Sequence, residues 1–121
     1  QCDFTYSNKQ CNLLAVYRSH DNDLDDFTAA LSEYYSRLTK TKTYILIGDI
    51  NANILTPDNK TERYLDVLYE CGFMCGIYNP TREAGASQTC LDHILLNTII
   101  LTDYTQIETS ITDHYCTALS I

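Results

Sequence analysis

The sequence predicts an α/β protein, with mainly one mixed or antiparallel sheet and two helices, and three observations carry that prediction. Residues 43 to 47 are β-branched, aromatic and aliphatic without alternation, the pattern of a strand covered on both faces. Between Asp23 and Leu38 the apolar residues Leu24, Phe27, Leu31, Tyr34 and Leu38 fall three or four apart, which is one face of a helix. Beyond a second helical segment, short β-like runs are separated by Asn, Pro, Gly, Thr and Asp. A chain of 121 residues accommodates one domain.

The elements follow in order. NLLAVY, residues 12 to 17, reads as a buried strand ended by Arg18-Ser19-His20. The acidic run Asp21, Asp23, Asp25 and Asp26 lies at the start of the first helix, where carboxylates cap free N–H groups. That run imitates the opening of an EF-hand, but Asp26 stands where the calcium loop needs Gly and Ser32 where it needs Glu. A second helix is predicted over 61–71, with Thr61 as N-cap and Gly72 as terminator. Strands are predicted over 73–78, 88–96, 105–109 and 115–120.

Composition narrows the function. A net charge of −8 opposes a simple nucleic-acid coating role, so a nuclease would need positive charge from a divalent metal or from another part of the protein. Arg37, Lys40 and Lys42 form the only small basic group and read as a solvated helix end. No apolar stretch approaches the roughly 20 residues of a membrane span, and no targeting signal is seen. The six cysteines lack C-x-x-C units, which argues against zinc; Cys71, Cys75, Cys90 and Cys116 read as small hydrophobes, and three disulfides are expected only of a secreted chain. The sequon Asn59-Lys60-Thr61 is short enough to arise by chance. The first residue is Gln1, which suits either a processed N-terminus or a piece of a longer chain.

Three segments carry polar residues to the ends of apolar runs. In ILIGDINANI, extended backbone would set Asp49 and Asn51 on one side just past a buried strand, where α/β proteins keep their sites; Gly-Asp and Asn-Ala-Asn are also turn formers in their own right. In TCLDHILLN, Asp92 interrupts an apolar strand and must be paired or hydrogen-bonded to persist there. In SITDHYCTALSI, Asp113 and His114 precede the last strand. Three carboxylates, an imidazole and an amide suit phosphate-ester hydrolysis: an Asp to take a proton from water, an Asn to hold it, an Asp-paired His to stabilise phosphorane charge, and carboxylates for Mg²⁺. No Gly-x-Ser-x-Gly elbow, P-loop or dinucleotide fingerprint is present.

Taken in order, AVYRS, ILIGDINANI, NPTREAGASQTCLDHILLN and TDHYC resemble the second half of the endonuclease/exonuclease/phosphatase superfamily, and most nearly the endonuclease domain of non-LTR retrotransposons. The resemblance runs from about Asn12 to the end of the chain. It implies that Tyr17 contacts the scissile phosphate and that Asp49 activates the attacking water with Asn51 as partner. It further implies that Asp92 orients His114, the histidine that stabilises the reacting phosphate, that Asp113 is a metal-associated carboxylate, and that Thr81 and Ser87 occupy a loop near DNA, where a plain turn serves equally. The implied cofactor is Mg²⁺ or Mn²⁺, and the implied location is intracellular and nuclear. DNA and the rest of a parent polyprotein, including an N-terminal half and a reverse transcriptase, are the implied partners, with no membrane.

Two departures qualify the resemblance. Members carry Tyr-x-Pro-Asn where this chain has Tyr17-Arg18-Ser19-His20, so His20 receives no role, and Thr112 replaces a common Ser. The first half of the superfamily domain, with its Glu metal ligand, does not precede Tyr17, so residues 1–121 are expected to form a single domain that is the C-terminal part of a four-layer α/β/β/α sandwich. That expectation weakens metal binding and makes intrinsic activity weak or nil. It also exposes apolar sheet through which two chains could associate, and it leaves a non-catalytic remnant or binding domain as the alternative.

Overall fold

Tyr44, Ile45, Leu46 and Ile47 form the middle of the central strand, because aromatic and β-branched side chains favour extended backbone and alternate between its two faces. The computed structural model describes residues 1–97 and 103–121. In chain order its elements are β1 (Cys2–Tyr6), β2 (Lys9–Tyr17), α1 (Leu24–Ser36), β3 (Thr43–Asp49), α2 (Asn59–Glu70), β4 (Met74–Cys75), β5 (Arg82–Ala84), β6 (Ser87–Thr89), β7 (Asp92–Leu96), β8 (Asp103–Ile107) and β9 (Cys116–Ser120). A five-stranded sheet has the order β1-β2-β3-β7-β4, and β5–β6 and β8–β9 form separate two-stranded sheets. β2 and β3 run parallel, with α1 as the crossover that such a pair requires, and the remaining pairs of the large sheet are antiparallel.

The sheet is covered on both faces. On one side Tyr44, Leu46 and Leu95 pack with Leu24, Leu31 and Tyr35 of α1, Tyr64 and Leu68 of α2, and Phe73. On the other, Ile45, Ile94 and Leu96 pack with Ile54, Ile77 and Cys90, and the partly buried Tyr104 and Leu119 of β8–β9 lie against them. No helix among the described residues is long and apolar enough to cross a membrane.

Several expectations need correction. Asp58, and not Thr61, caps α2: its carboxylate accepts from Thr61 N at 2.8 Å, so the helix begins two residues early. Gly72 does end it, with φ +84. Asp23 alone of the acidic run caps α1, accepting from the N–H groups of Asp25 and Asp26. The predicted strand 88–96 is two strands, broken at Cys90 and Leu91 where the chain leaves the β5–β6 hairpin for the large sheet. The predicted strand 73–78 contracts to β4. β1 was not predicted; its Tyr6-Ser7-Asn8-Lys9 turn to β2 places Ser7 and Asn8 at positive φ without a glycine to mark it. All six cysteines are free thiols, and Cys116 is exposed, not packed among apolar neighbours.

Gly48 decides how closely β2 and β3 approach at their C-terminal ends. Its φ is +155, and a Cβ there would lie 1.7 Å from the Val16 carbonyl oxygen, so no other residue fits. The Gly of the Gly-Asp pair thus serves the backbone that carries Asp49.

Candidate functional site

Sheet register brings the first residues together. Tyr17 pairs with Asp49 across β2–β3, and Asp49 pairs with Asp92 across β3–β7. Directly paired residues project to the same face, so two carboxylates and a phenol stand in a row at one end of three adjacent strands. Tyr17 is 70% exposed and ends its strand at the surface.

His114 reaches this row from the far end of the chain. Its Nδ1–H donates to Asp92 Oδ2 at 2.9 Å, with both side chains mostly shielded from solvent. Ligand atoms of Asp49, Asp92 and His114 all lie within 4.8 Å of one another. The segment holding His114 is fixed by a backbone bridge to Arg82, by Glu83 N donating to Asp113 O at 3.0 Å and by Tyr115 N donating to Thr81 O at 2.7 Å.

The turn after β3 sets Asn51. Extended alternation does not carry Asn51 to the side of Asp49, because Asn51 has φ +52, in the left-handed region. An Asx-type turn forms instead: Asn51 N donates to Asp49 Oδ1 at 3.0 Å, and Asn51 Nδ2 donates to the Arg18 carbonyl at 2.8 Å. Burial raises the Asp49 carboxyl above its ordinary value; the Asn51 N–H opposes this, the Asp92 charge adds to it, and His114 and Arg82 oppose it.

Two residues assigned roles near the site are occupied otherwise. Asp113 is not among the clustered ligands: its Oδ2 accepts from Arg82 Nε at 2.6 Å, and that bond holds its carboxyl below the ordinary value. Thr81 is fully buried, which removes its side chain from any substrate. Its hydroxyl oxygen accepts from Leu91 N at 2.9 Å and Asp92 N at 3.0 Å, so Thr81 fixes the backbone that carries Asp92. Ser87 lies exposed on the β5–β6 hairpin.

Other polar residues of the site region were not singled out from the sequence. Buried His93 accepts from the Tyr64 hydroxyl at Nδ1, 2.9 Å, and donates from Nε2 to Ala52 O, 3.0 Å, which fixes the neutral tautomer. Asn53 Oδ1 accepts from Cys90 N at 3.0 Å and ties the loop after β3 to the start of β7. Arg18 is buried under the 49–51 turn. A cation placed between an apolar strand and an acidic run was the signal that could have marked Arg18.

The donors fit a divalent cation. Asp49 Oδ2 and Asp92 Oδ1 have no protein donor among the described residues, and two carboxylate oxygens with a neighbouring imidazole suit such an ion by charge and ligand type. A polar cleft of about 390 Å³, lined by Arg18, His20, Asp23, Asn51 and Lys60 among others, adjoins the site at Asn51; Asp49, Asp92 and His114 do not line it and lie on the open sheet end.

The mixed five-stranded sheet with two helices against one face has the α/β fold of the solved structures on which it superposes. The chain superposes on the endonuclease domain of TRAS1, a telomere-specific non-LTR retrotransposon, with a TM-score of 0.82 at 18% identity, over 98% of this chain and 61% of that one. It superposes on an endonuclease/exonuclease/phosphatase family protein from Leptotrichia buccalis C-1013-b with a TM-score of 0.68 at 13% identity, over 98% of this chain and 52% of that one. The chain therefore spans about half to three fifths of those structures, and the likeness is one of fold. No protein-family model and no curated protein matches the sequence.

Proposed function

We propose that the chain is the C-terminal part of a divalent-metal-dependent phosphodiester hydrolase, a DNA endonuclease domain of non-LTR retrotransposon type, with weak or no nicking activity as this piece alone. One observation carries the reading: Asp49, Asp92 and His114, from three separate segments, converge within 4.8 Å at one sheet end. The nuclease-type fold supports it.

In this reading Asp49 takes the proton of the attacking water while the new P–O bond forms and the P–O bond to the leaving oxygen breaks. Burial makes Asp49 a stronger base than an ordinary carboxylate, which suits that task. Asn51, with one amide proton committed to the Arg18 carbonyl, orients the water through its remaining polar atoms. Asp92 holds His114 by Nδ1, leaving Nε2 to stabilise charge on the phosphoryl oxygens. The exposed Tyr17 phenol contacts the scissile phosphate, and Ser87 on its hairpin lies along the DNA. The free oxygen of Asp92, beside Asp49 and His114, would hold Mg²⁺ or Mn²⁺, which would supply Lewis-acid neutralisation of phosphate charge when bound. The parent polyprotein, including its reverse transcriptase, the nuclear compartment and association between chains belong to the same proposal, although the large sheet carries a buried cluster on each face and is not the exposed sheet expected from the sequence.

Nicking of supercoiled plasmid with Mg²⁺ or Mn²⁺ tests it. Asp49→Ala and His114→Ala are expected to lower the rate by roughly a hundredfold. Equal, measurable rates for all three proteins reject the reading. A non-catalytic remnant is the second reading, favoured by Asp113 lying in an ion pair with Arg82 and by the absence of any Glu from the cluster among the described residues. It predicts no nicking by any of the three and unchanged DNA binding in both variants.

A further inference from the structure

Arg18 has no part in the chemistry above, yet the residue is only 5% exposed, and among the described residues its side chain bonds to no carboxylate. Its donors go to backbone carbonyls instead. Nε donates to Ile50 O at 2.6 Å, Nη2 to Asn51 O at 2.9 Å, and Nη1 to Ser19 O at 3.2 Å and to Asn22 O. Its own backbone is used on the same turn: Arg18 N donates to Asp49 O at 2.9 Å, and Arg18 O accepts from Asn51 Nδ2 at 2.8 Å. One residue therefore grips Asp49, Ile50 and Asn51 in succession, the three residues that leave β3 and enter the left-handed conformation.

We propose that Arg18 is the positioning residue for the Asp49–Asn51 pair, and that it acts through the planar fork of its guanidinium. This rests on the function proposed above for Asp49 and Asn51. A left-handed Asn costs energy and persists only where its surroundings over-determine it. The carbonyls of Ile50 and Asn51, turned inward by that conformation, would be buried without partners if the guanidinium were absent. Bulk or charge alone cannot substitute, because an ammonium is a compact point donor and cannot span the separated carbonyls that the fork reaches. Loss of the fork frees the turn to relax, and a displacement of about 1 Å at a reacting group costs on the order of a hundredfold in rate.

The test compares the wild-type chain with Arg18→Lys and Arg18→Ala. Nicking of plasmid is measured in Mg²⁺, together with the NMR signals of the Asn51 side-chain amide and of the 49–51 backbone amides. The expected result is a fall in kcat of roughly a hundredfold with KM nearly unchanged in both variants, and loss of the shifted, slowly exchanging Asn51 amide signal. Guanidinium chloride at non-denaturing millimolar concentration, but not urea, is expected to restore both in Arg18→Ala. Unaltered Asn51 signals in Arg18→Lys, or rescue by neither additive, overturn the proposal. Altered Asn51 signals, with guanidinium rescue, in a chain whose wild type does not nick support the positioning role through the turn alone, and equal measurable nicking by the wild type, Asp49→Ala and His114→Ala counts against the proposed function instead. A direct observation on the wild type stands even where both variants fail to fold: the Arg18 Nε–H must exchange slowly and show through-hydrogen-bond coupling to the Ile50 carbonyl carbon, and its absence overturns the assignment.

Discussion

Asp92 and His114 lie 22 residues apart in sequence and 2.9 Å apart in space, with Nδ1–H donating to Oδ2. The carboxylate fixes the tautomer and the ring plane, so Nε2 is presented in one orientation. Asp92→Asn keeps the shape but offers a competing donor. Nicking is expected to fall by roughly a hundredfold with the melting temperature little changed, and the downfield Nδ1 proton should vanish from the NMR spectrum. Retention of that proton in the variant would contradict the pairing.

Asp49 is predicted to trade stability for function. Burial raises its carboxyl above the ordinary 3.8. A folded-state pKa above the unfolded one gives stability that is complete below pH 3.8 and is lost as the pH rises through the raised value, so at neutral pH ionised Asp49 is a net cost. Asp49→Asn retains an acceptor for the Asn51 N–H. Calorimetry at pH 7 should show a melting temperature raised by roughly 1 to 2 °C, a small figure because solvent screens a group that is only partly buried. At pH 3 the difference should disappear.

His93 makes the fold acid-sensitive. Burial pushes its imidazole below the ordinary 6.5, against the opposing effect of the Cys90 and Ala52 carbonyls and of Asp92. A depressed folded-state pKa gives stability that is present above pH 6.5 and is lost as the pH falls through the folded value. Urea midpoints should therefore decline from pH 7 toward pH 5, with a slope of at most about 1.4 kcal/mol per pH unit from this group. His93→Gln should flatten that part of the profile; an identical profile would assign the sensitivity elsewhere.

Thr81 supports Asp92 through the backbone. Thr81→Val keeps the volume and removes the acceptor for two buried N–H groups, at a cost on the order of 2 kcal/mol, whereas Thr81→Ser should lose far less. If the hydroxyl sets Asp92, the valine variant should also show the His114 Nδ1 proton displaced or broadened.

Gly48→Ala tests the close approach of β2 and β3. A methyl 1.7 Å from the Val16 carbonyl oxygen has no room and cannot be absorbed by a flexible side chain, since the obstacle is backbone. A loss of roughly 3 kcal/mol or more is expected, read as a collapsed urea midpoint.

Much of this protein was written locally. The apolar spacing of Leu24, Leu31 and Tyr34, the β-branched run at 43–47 and the punctuation by Gly72 follow from backbone preference and side-chain period, which neighbouring residues fix among themselves. The sequence by itself also determined that Asp49, Asn51, Asp92 and His114 stand at or in β segments. It misread the spans where the chain changes layers, as at Cys90 and Leu91, because no local preference records a change of partner.

Only the tertiary structure decided which of these side chains meet. Register across β2, β3 and β7 set Tyr17, Asp49 and Asp92 in one row, and the return of the chain past Arg82 brought His114 to Asp92 and Asp113 to Arg82. Thr81 turned inward and Arg18 went beneath the turn at Asn51 for the same reason. Buried donors and acceptors must find partners wherever packing places them, and those partners lie up to 53 residues away in sequence, beyond the reach of any local pattern.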